Sequence, residues 1–227
     1  MDYRDAILRQ RGRDRASPRC LCGIVPAMRV IAGLYRGRRL TAPAGAQTRP
    51  ILDRVKVALF DWLGSRLARP GALPPVNVLD LFCGGGSLGI EALSRGAAFC
   101  AFVEEDAGAS RYLLQNLERL GVGSAARACN CPVQSAQVQP PTGAFGIIFL
   151  DPPYALSEDV TENSLLGRVF GRLGRPLPVE DDAIVLWRHA ARTVLPAKLP
   201  NDWRPIECRT WGKMAVTLLQ RPPRYVS

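Results

Sequence analysis

The apolar run Phe145-Gly146-Ile147-Ile148-Phe149-Leu150 is followed at once by Asp151-Pro152-Pro153-Tyr154. A run of this length, rich in Ile and Phe, reads as a strand buried on both faces, and two prolines end it abruptly because proline lacks the N–H that a ladder needs. The Asp151 carboxylate and the Tyr154 ring are left at a rigid strand tip. A planar amine lying against that tip would meet one carboxylate, the carbonyl oxygens of the turn and an aromatic face. Such a constellation suits a nucleobase. The plain structural alternative is a Pro-Pro turn with an incidental Asp and Tyr.

A second motif lies upstream. The β-rich run from Val76 to Leu81 contains Asp80 and leads through Phe82-Cys83-Gly84-Gly85-Gly86 into Ser87 to Arg95, which reads as a helix stopped by Gly96. Strand, glycine turn and helix N-terminus together make a cofactor seat. Gly84, Gly86 and Gly89 satisfy the G-x-G-x-x-G spacing of dinucleotide enzymes. Charge argues against that assignment, because Asp80 would repel a pyrophosphate at the helix N-terminus unless turned away. An ammonium or a sulfonium would be attracted, and S-adenosylmethionine carries both and no phosphate. The next predicted strand, Ala98 to Val103, ends in Glu104-Glu105-Asp106. Glu104 is the acid placed to accept hydrogen bonds from two ribose hydroxyls. Glu105 and Asp106 fit an acidic helix start.

The wider pattern predicts strands near 76–82, 99–104, 126–130, 145–151 and 183–188, alternating with helices near 87–95, 106–120 and 160–173. Strands alternating with helices imply an α/β fold with a mostly parallel sheet. The closing runs Arg204 to Thr210 and Lys213 to Gln220 read as an antiparallel hairpin. Residues 28–42 read as a small hairpin turning near Gly33 to Gly37, and Asp53 to Leu67 as a helix with Val55, Leu59, Trp62 or Leu63 and Leu67 on one face. Asp80, Glu104 and Asp151 all fall at the carboxyl ends of strands, where ligands bind in such sheets.

Together these segments resemble the Rossmann-like methyltransferases that act on exocyclic amines. More narrowly, Met28 to Leu40 and Arg49 to Lys56 resemble the N-terminal signature of the bacterial 16S rRNA guanine-N2 methyltransferases of the RsmD type, with the resemblance running from about Met28 to Gln220. It implies a monomeric, S-adenosylmethionine-dependent enzyme acting on 16S rRNA or an assembling small ribosomal subunit. Around the cofactor it places Asp80, Phe82, Gly84, Gly86, Glu104 and, toward the adenine, Asn130. At the reacting amine it places Asp151, the Pro152 carbonyl and Tyr154. The chain departs from the family pattern at Val57 and Trp187, both positions that usually carry Glu. Methylation of another amino group, on DNA adenine or cytosine or a protein glutamine, shares the cofactor turn, and a catalytically silent RNA-binding assembly factor would share the basic front.

Charge is unevenly distributed. Residues 1–27 hold six Arg against three Asp and residues 28–54 six Arg against Asp53 alone, so the front of the chain supplies +8 of the formal +10. Arg29, Arg36, Arg38, Arg39, Arg49 and Arg54, with Tyr35 among them, suit a phosphate backbone; a solvated basic surface is the alternative. Residues 1–27 precede the recognised pattern and read as a flexible arm or as a start assigned upstream of Met28; 28–70 form the RNA-binding extension and 71–227 the methyltransferase domain. With 227 residues and 47% apolar content the chain can bury a substantial core, no apolar run is long enough to span a membrane, and the Arg-rich start lacks a secretory apolar stretch, which predicts a cytoplasmic protein. Seven cysteines read as free thiols. Cys20-x-Cys22 and Cys129-x-Cys131, with His189 the one histidine, lack the spacing of a metal site.

Overall fold

Apolar strands that need cover on both faces receive it in a seven-stranded sheet sandwiched between helices. The computed structural model describes residues 28–42 and 51–222. The strands are β1 (Asn77–Leu81), β2 (Phe99–Glu104), β3 (Ala126–Asn130), β4 (Phe145–Leu150), β5 (Val179–Ala190), β6 (Arg204–Trp211) and β7 (Met214–Gln220), and the helices α1 (Asp53–Arg66), α2 (Ser87–Ser94), α3 (Ala107–Leu120) and α4 (Leu165–Arg172). The strand order is β3-β2-β1-β4-β5-β7-β6. The first five strands are parallel, and β7 runs antiparallel between β5 and β6.

The period of two along each strand separates two cores. Val78, Phe102, Phe149 and Leu186 pack beneath α1, α2 and α3. Leu79, Val103, Leu150 and Trp187 pack on the opposite face with Leu166 and Phe170 of α4. All of β4 is buried, as its uninterrupted apolar run requires. Trp187, one departure from the family pattern, is a core residue whose ring lies 5.8 Å from Phe170 and 4.8 Å from His189. Val57, the other, lies exposed on α1.

One expectation needs correction. Helix α4 begins at Leu165 and not near 160, because Asp159 accepts from the Thr161 amide (2.9 Å) and Ser164 then caps the helix by accepting from Gly167 N (2.9 Å). Gly167 has no room for a Cβ, which would lie 1.8 Å from the Thr161 carbonyl oxygen. The hairpin expected over 28–42 is present in short form: Arg29 and Arg39 make one antiparallel bridge, Val30 N donates to the Arg38 carbonyl (3.0 Å) and Leu40 N to the Met28 carbonyl (2.7 Å), and the chain turns at 33–37. Four amides between its arms are bound to α2. Ile31 and Ala32 donate to the Glu91 carboxylate (2.8 and 3.0 Å), and Leu34 and Tyr35 donate to the Ser94 carbonyl and hydroxyl (2.7 and 2.9 Å).

Glu91 is fully buried and also meets Arg95 Nε at 2.9 Å and Lys56 Nζ at 3.9 Å, while Lys56 donates to the Arg29 carbonyl at 2.8 Å. One carboxylate thus joins the N-terminal segment, α1 and α2. Burial pulls the Lys56 amine below its ordinary value, and Glu91 partly offsets that. Removing one partner of such a network strands the remaining charges. Glu91→Ala should therefore lower stability by about 3–5 kcal/mol in urea denaturation. A loss below about 1 kcal/mol, the level of an ordinary surface change, would place the anchor elsewhere.

Candidate active site at the carboxyl edge of the sheet

In-register parallel pairing decides which side chains meet. Asp80 lies beside Phe102 and Phe149, Glu104 beside Asn130, and Leu150 beside Trp187. The alternation that turns Phe102, Phe149 and Leu186 toward α1 and α2 turns Glu104, Asp151 and Arg188, each two residues further on, to the same face. Four charged groups, Asp80 included, thereby share one edge and one face of the sheet.

The turn after β1 is shaped by positive φ at Phe82 (58°), Gly84 (55°) and Gly86 (82°). Phe82 carries a side chain in this region, a strain of the kind that functional sites retain. Gly89 must be glycine for a different reason: a Cβ there would lie 2.4 Å from the Phe102 ring, so its absence lets α2 sit directly on β2. Asp80 is turned inward beneath the turn, with Oδ2 accepting from Gly89 N at 2.8 Å. Its Oδ1 and the nearby Ser87 Oγ are buried without a protein partner. Burial pushes the Asp80 carboxyl up to about 8; the Gly89 amide opposes the rise and the Asp151 and Glu104 charges add to it. Asp80 is thus a buried group with one unpartnered oxygen rather than an open surface.

Glu104 Oε2 accepts from Gly84 N (2.8 Å) and Oε1 from Asp106 N (2.9 Å), so both oxygens are fixed and each keeps a lone pair for a hydroxyl donor. Asn130 donates through Nδ2 to the Glu104 and Glu105 carbonyls (2.8 and 3.1 Å), which fixes its amide at the exposed end of β3. Asp106 is the N-cap of α3, accepting from Ala109 N.

At the next strand tip Pro152 is buried and Tyr154 is 40% exposed. Ser157, itself buried, donates to the Tyr154 carbonyl from both its amide (3.0 Å) and its hydroxyl (2.8 Å), so the tyrosine is held from behind while its ring faces solvent. Asp151 meets Arg188 of β5 in an ion pair, Oδ1 to Nε 2.5 Å, and the guanidinium carbon lies 5.8 Å from the Tyr154 ring centre. The Nε–H direction misses the oxygen, so the contact is one of charge more than of a directed hydrogen bond. Burial raises the Asp151 carboxyl, Arg188 opposes this and Glu104 adds to it.

The basic front lies along α2. Thr41 is bound to Asn116 of α3, its amide and hydroxyl each donating to Oδ1 at 2.9 Å, and Asn116 Nδ2 donates to the Gly85 carbonyl at 2.9 Å. The ends of the segment therefore touch the glycine turn, while Gly33 to Tyr35 sit against Ser94 at the far end of α2. Arg29, Arg36, Arg38 and Arg39 are exposed, Arg29 pairing with Asp53 at 2.9 Å, and Arg54 is exposed at the start of α1. Tyr35 is half-buried against the core. Arg49 and residues 1–27, with Cys20 and Cys22, fall outside the described residues; Cys129 and Cys131 are free thiols. Sequence reasoning passed over Arg188, Asn116, Glu91 and Ser87. For Arg188 a signal existed: a charge ending the apolar run Ala183 to Trp187 beside Asp151.

The raised Asp80 carboxyl makes stability depend on pH. Below the ordinary 3.8 both folded and unfolded chains hold this proton; from there to about 8 the unfolded chain loses it and the folded chain keeps it, so stability falls as pH rises. Asp80→Asn retains an acceptor for Gly89 N and removes the titration. Its stability should decline less steeply between about pH 4 and pH 8, the difference being at most roughly 1.4 kcal/mol per pH unit. Parallel curves for the two proteins would contradict this.

The sequence profile of the family described as Conserved hypothetical protein 95 matches residues 28–220. The Escherichia coli K12 protein named ribosomal RNA small subunit methyltransferase D is 33% identical over 194 residues, covering 86% of this chain and 90% of that protein. The Bacillus subtilis protein YlbH, provisionally named an rRNA methyltransferase, is 35% identical over 197 residues, covering 86% and 99%. Among solved structures, Escherichia coli YhhF, provisionally named a methyltransferase, superposes with a TM-score of 0.69 at 31% identity, covering 87% of this chain and 99% of that one. The profile match, the two relatives and the shared fold agree, and the chain belongs to the RsmD family.

Proposed function

We propose that the chain transfers the methyl group of S-adenosylmethionine to the exocyclic N2 amine of a guanine in 16S rRNA, as naked rRNA or in an assembling small subunit. The observation that carries this reading is the strand tip at which an anchored carboxylate, Asp151, stands beside an exposed ring, Tyr154, on the edge that also holds Glu104 and Asp80. The rRNA methyltransferase names of the relatives support it. On this reading the chain works as a monomer in the cytoplasm, where small subunits assemble.

The residues present fit the cofactor. Glu104 has free lone pairs for ribose hydroxyls, Asn130 stands at the neighbouring tip, the backbone at Gly84 is open to close approach, and the unpartnered oxygen of the buried Asp80 offers an acceptor to the ammonium of the amino-acid moiety. Phe82 and Gly86 shape the turn between them. When bound, the cofactor supplies an electrophilic methyl group on a sulfonium. The chain does the remainder. A guanine 2-amino lone pair is delocalised into the ring, so the site must favour a pyramidal nitrogen and hold it in line; such positioning contributes about 7–11 kcal/mol in well-oriented systems. Asp151 and the Pro152 carbonyl accept the amine hydrogens and stabilise positive charge growing on nitrogen. Tyr154 stacks on an unpaired or extruded base. Exposed Arg29, Arg36, Arg38, Arg39 and Arg54, with Arg49, meet phosphates, with Tyr35 held among them.

Three variants test the assignment. Glu104→Ala should weaken cofactor binding greatly in calorimetry, and tighter binding of NADH than of S-adenosylmethionine would sink the cofactor assignment. Asp151→Ala should slow single-turnover methyl transfer by roughly 10²-fold or more with little change in cofactor affinity, whereas a fully active variant would leave the tetrapeptide a structural turn. Replacing Arg36, Arg38 and Arg39 together with Ala should weaken RNA binding and flatten its dependence on salt while cofactor affinity stays; unchanged RNA affinity would make this segment purely structural.

A further inference from the structure

The function proposed above uses Asp151 as an acceptor, which requires an ionised carboxylate in a place that resists ionisation. Asp151 stands at the tip of β4, its side chain 19% exposed, and the charges facing it from the packed elements are Glu104 of β2, Asp80 of β1 and Arg188 of β5. Two of these three are acids. Glu104 disfavours a further negative charge, and burial disfavours it more. Arg188 is the opposing influence, and it is itself only 6% exposed, so its own charge is compensated chiefly by Asp151.

From this geometry we infer that Arg188 is the positioning residue of the site: it keeps Asp151 ionised, turns its other oxygen toward the amine and backs the ring of Tyr154. Parallel pairing of β4 with β5 sets the arrangement, because Leu150 lies beside Trp187 and the next residue of each strand is the charged one. With Oδ1 occupied by the guanidinium, Oδ2 is the acceptor left for the substrate. The guanidinium also lies within cation–π range of Tyr154, so one buried cation fixes both the carboxylate and the stacking ring. Arg188 does not touch the substrate in this arrangement. It acts through two residues that do, as a support holding a reactive group in its productive state.

The inference rests on the methyl-transfer reading for its kinetic consequence but not for its electrostatic one, and two measurements keep them apart. In the free protein, carbon-13 NMR of the Asp151 carboxyl would follow its titration in wild type, Arg188→Met, which keeps much of the stem and removes the charge, and Arg188→Lys, which keeps the charge. The midpoint should move upward in Arg188→Met and return most of the way in Arg188→Lys. An unmoved midpoint in Arg188→Met would overturn the inference whether or not the chain methylates RNA. In single-turnover methyl transfer, the loss in Arg188→Met should be largest below the Asp151 midpoint read by NMR, approaching tenfold for each unit by which that midpoint moves up, and should shrink as the pH rises above it. A loss equal at all pH values would show a purely structural role and overturn it. Absence of transfer by the wild type would instead overturn the methyl-transfer reading, with the NMR titration still deciding the role of Arg188.

Discussion

In-register parallel pairing of β1, β2, β4 and β5 is the constraint on which the rest of the molecule depends. It brings the ends of four strands to one edge, and because side chains alternate with a period of two, it also brings their charged residues to one face. Asp80, Glu104, Asp151 and Arg188 come from segments far apart in sequence. A slip of one residue in any strand would bury a charge in the α4 core and carry an apolar residue such as Leu150 or Trp187 out of it. The hydrophobic pattern therefore specifies the site as firmly as it specifies the fold.

Three acids so close together cannot all be ionised at little cost. The protein resolves this unevenly: Asp80 is buried against an amide with its carboxyl pushed up to about 8, Glu104 is held by two backbone amides, and Asp151 is given a cation. Each carboxylate thus suits a different task. The second buried network, around Glu91, serves attachment. Through it and through Asn116 the N-terminal segment is fastened at one end to the glycine turn and at the other to Ser94, roughly 12 Å away along α2. On the proposed reading, Arg36 and Arg38, beyond the Arg29–Arg39 bridge, would meet RNA backbone remote from the reacting base.

Much of the fold was legible because its strands are apolar without interruption and its helices carry clear punctuation. The run 145–150, the glycine turn and the Asp106 and Gly121 caps of α3 each announce an element by local chemistry. The convergence of Asp80, Glu104 and Asp151 followed from the rule that ligands sit at strand carboxyl ends. The hairpin at 28–42 is short because Ile31 and Ala32 give their amides to a partner distant in sequence, the buried Glu91, and local pattern carries no trace of that attachment. Helix α4 begins late because Asp159 and Ser164 each take a backbone amide from the turn that precedes it. The inward turn of Asp80 and the pairing of Arg188 with Asp151 depend on tertiary neighbours in the same way.

The central claim, that this edge of the sheet methylates the N2 amine of a guanine in small-subunit rRNA, is tested most directly by product identity. Purified protein would be given S-adenosylmethionine labelled on its methyl group together with 16S rRNA or an assembling small subunit, and the RNA digested to nucleosides and resolved by mass spectrometry. The account predicts that the label is recovered as N2-methylguanosine. Label in a methylated adenosine or cytidine, or no transfer by a protein that binds both the cofactor and the RNA, would contradict it.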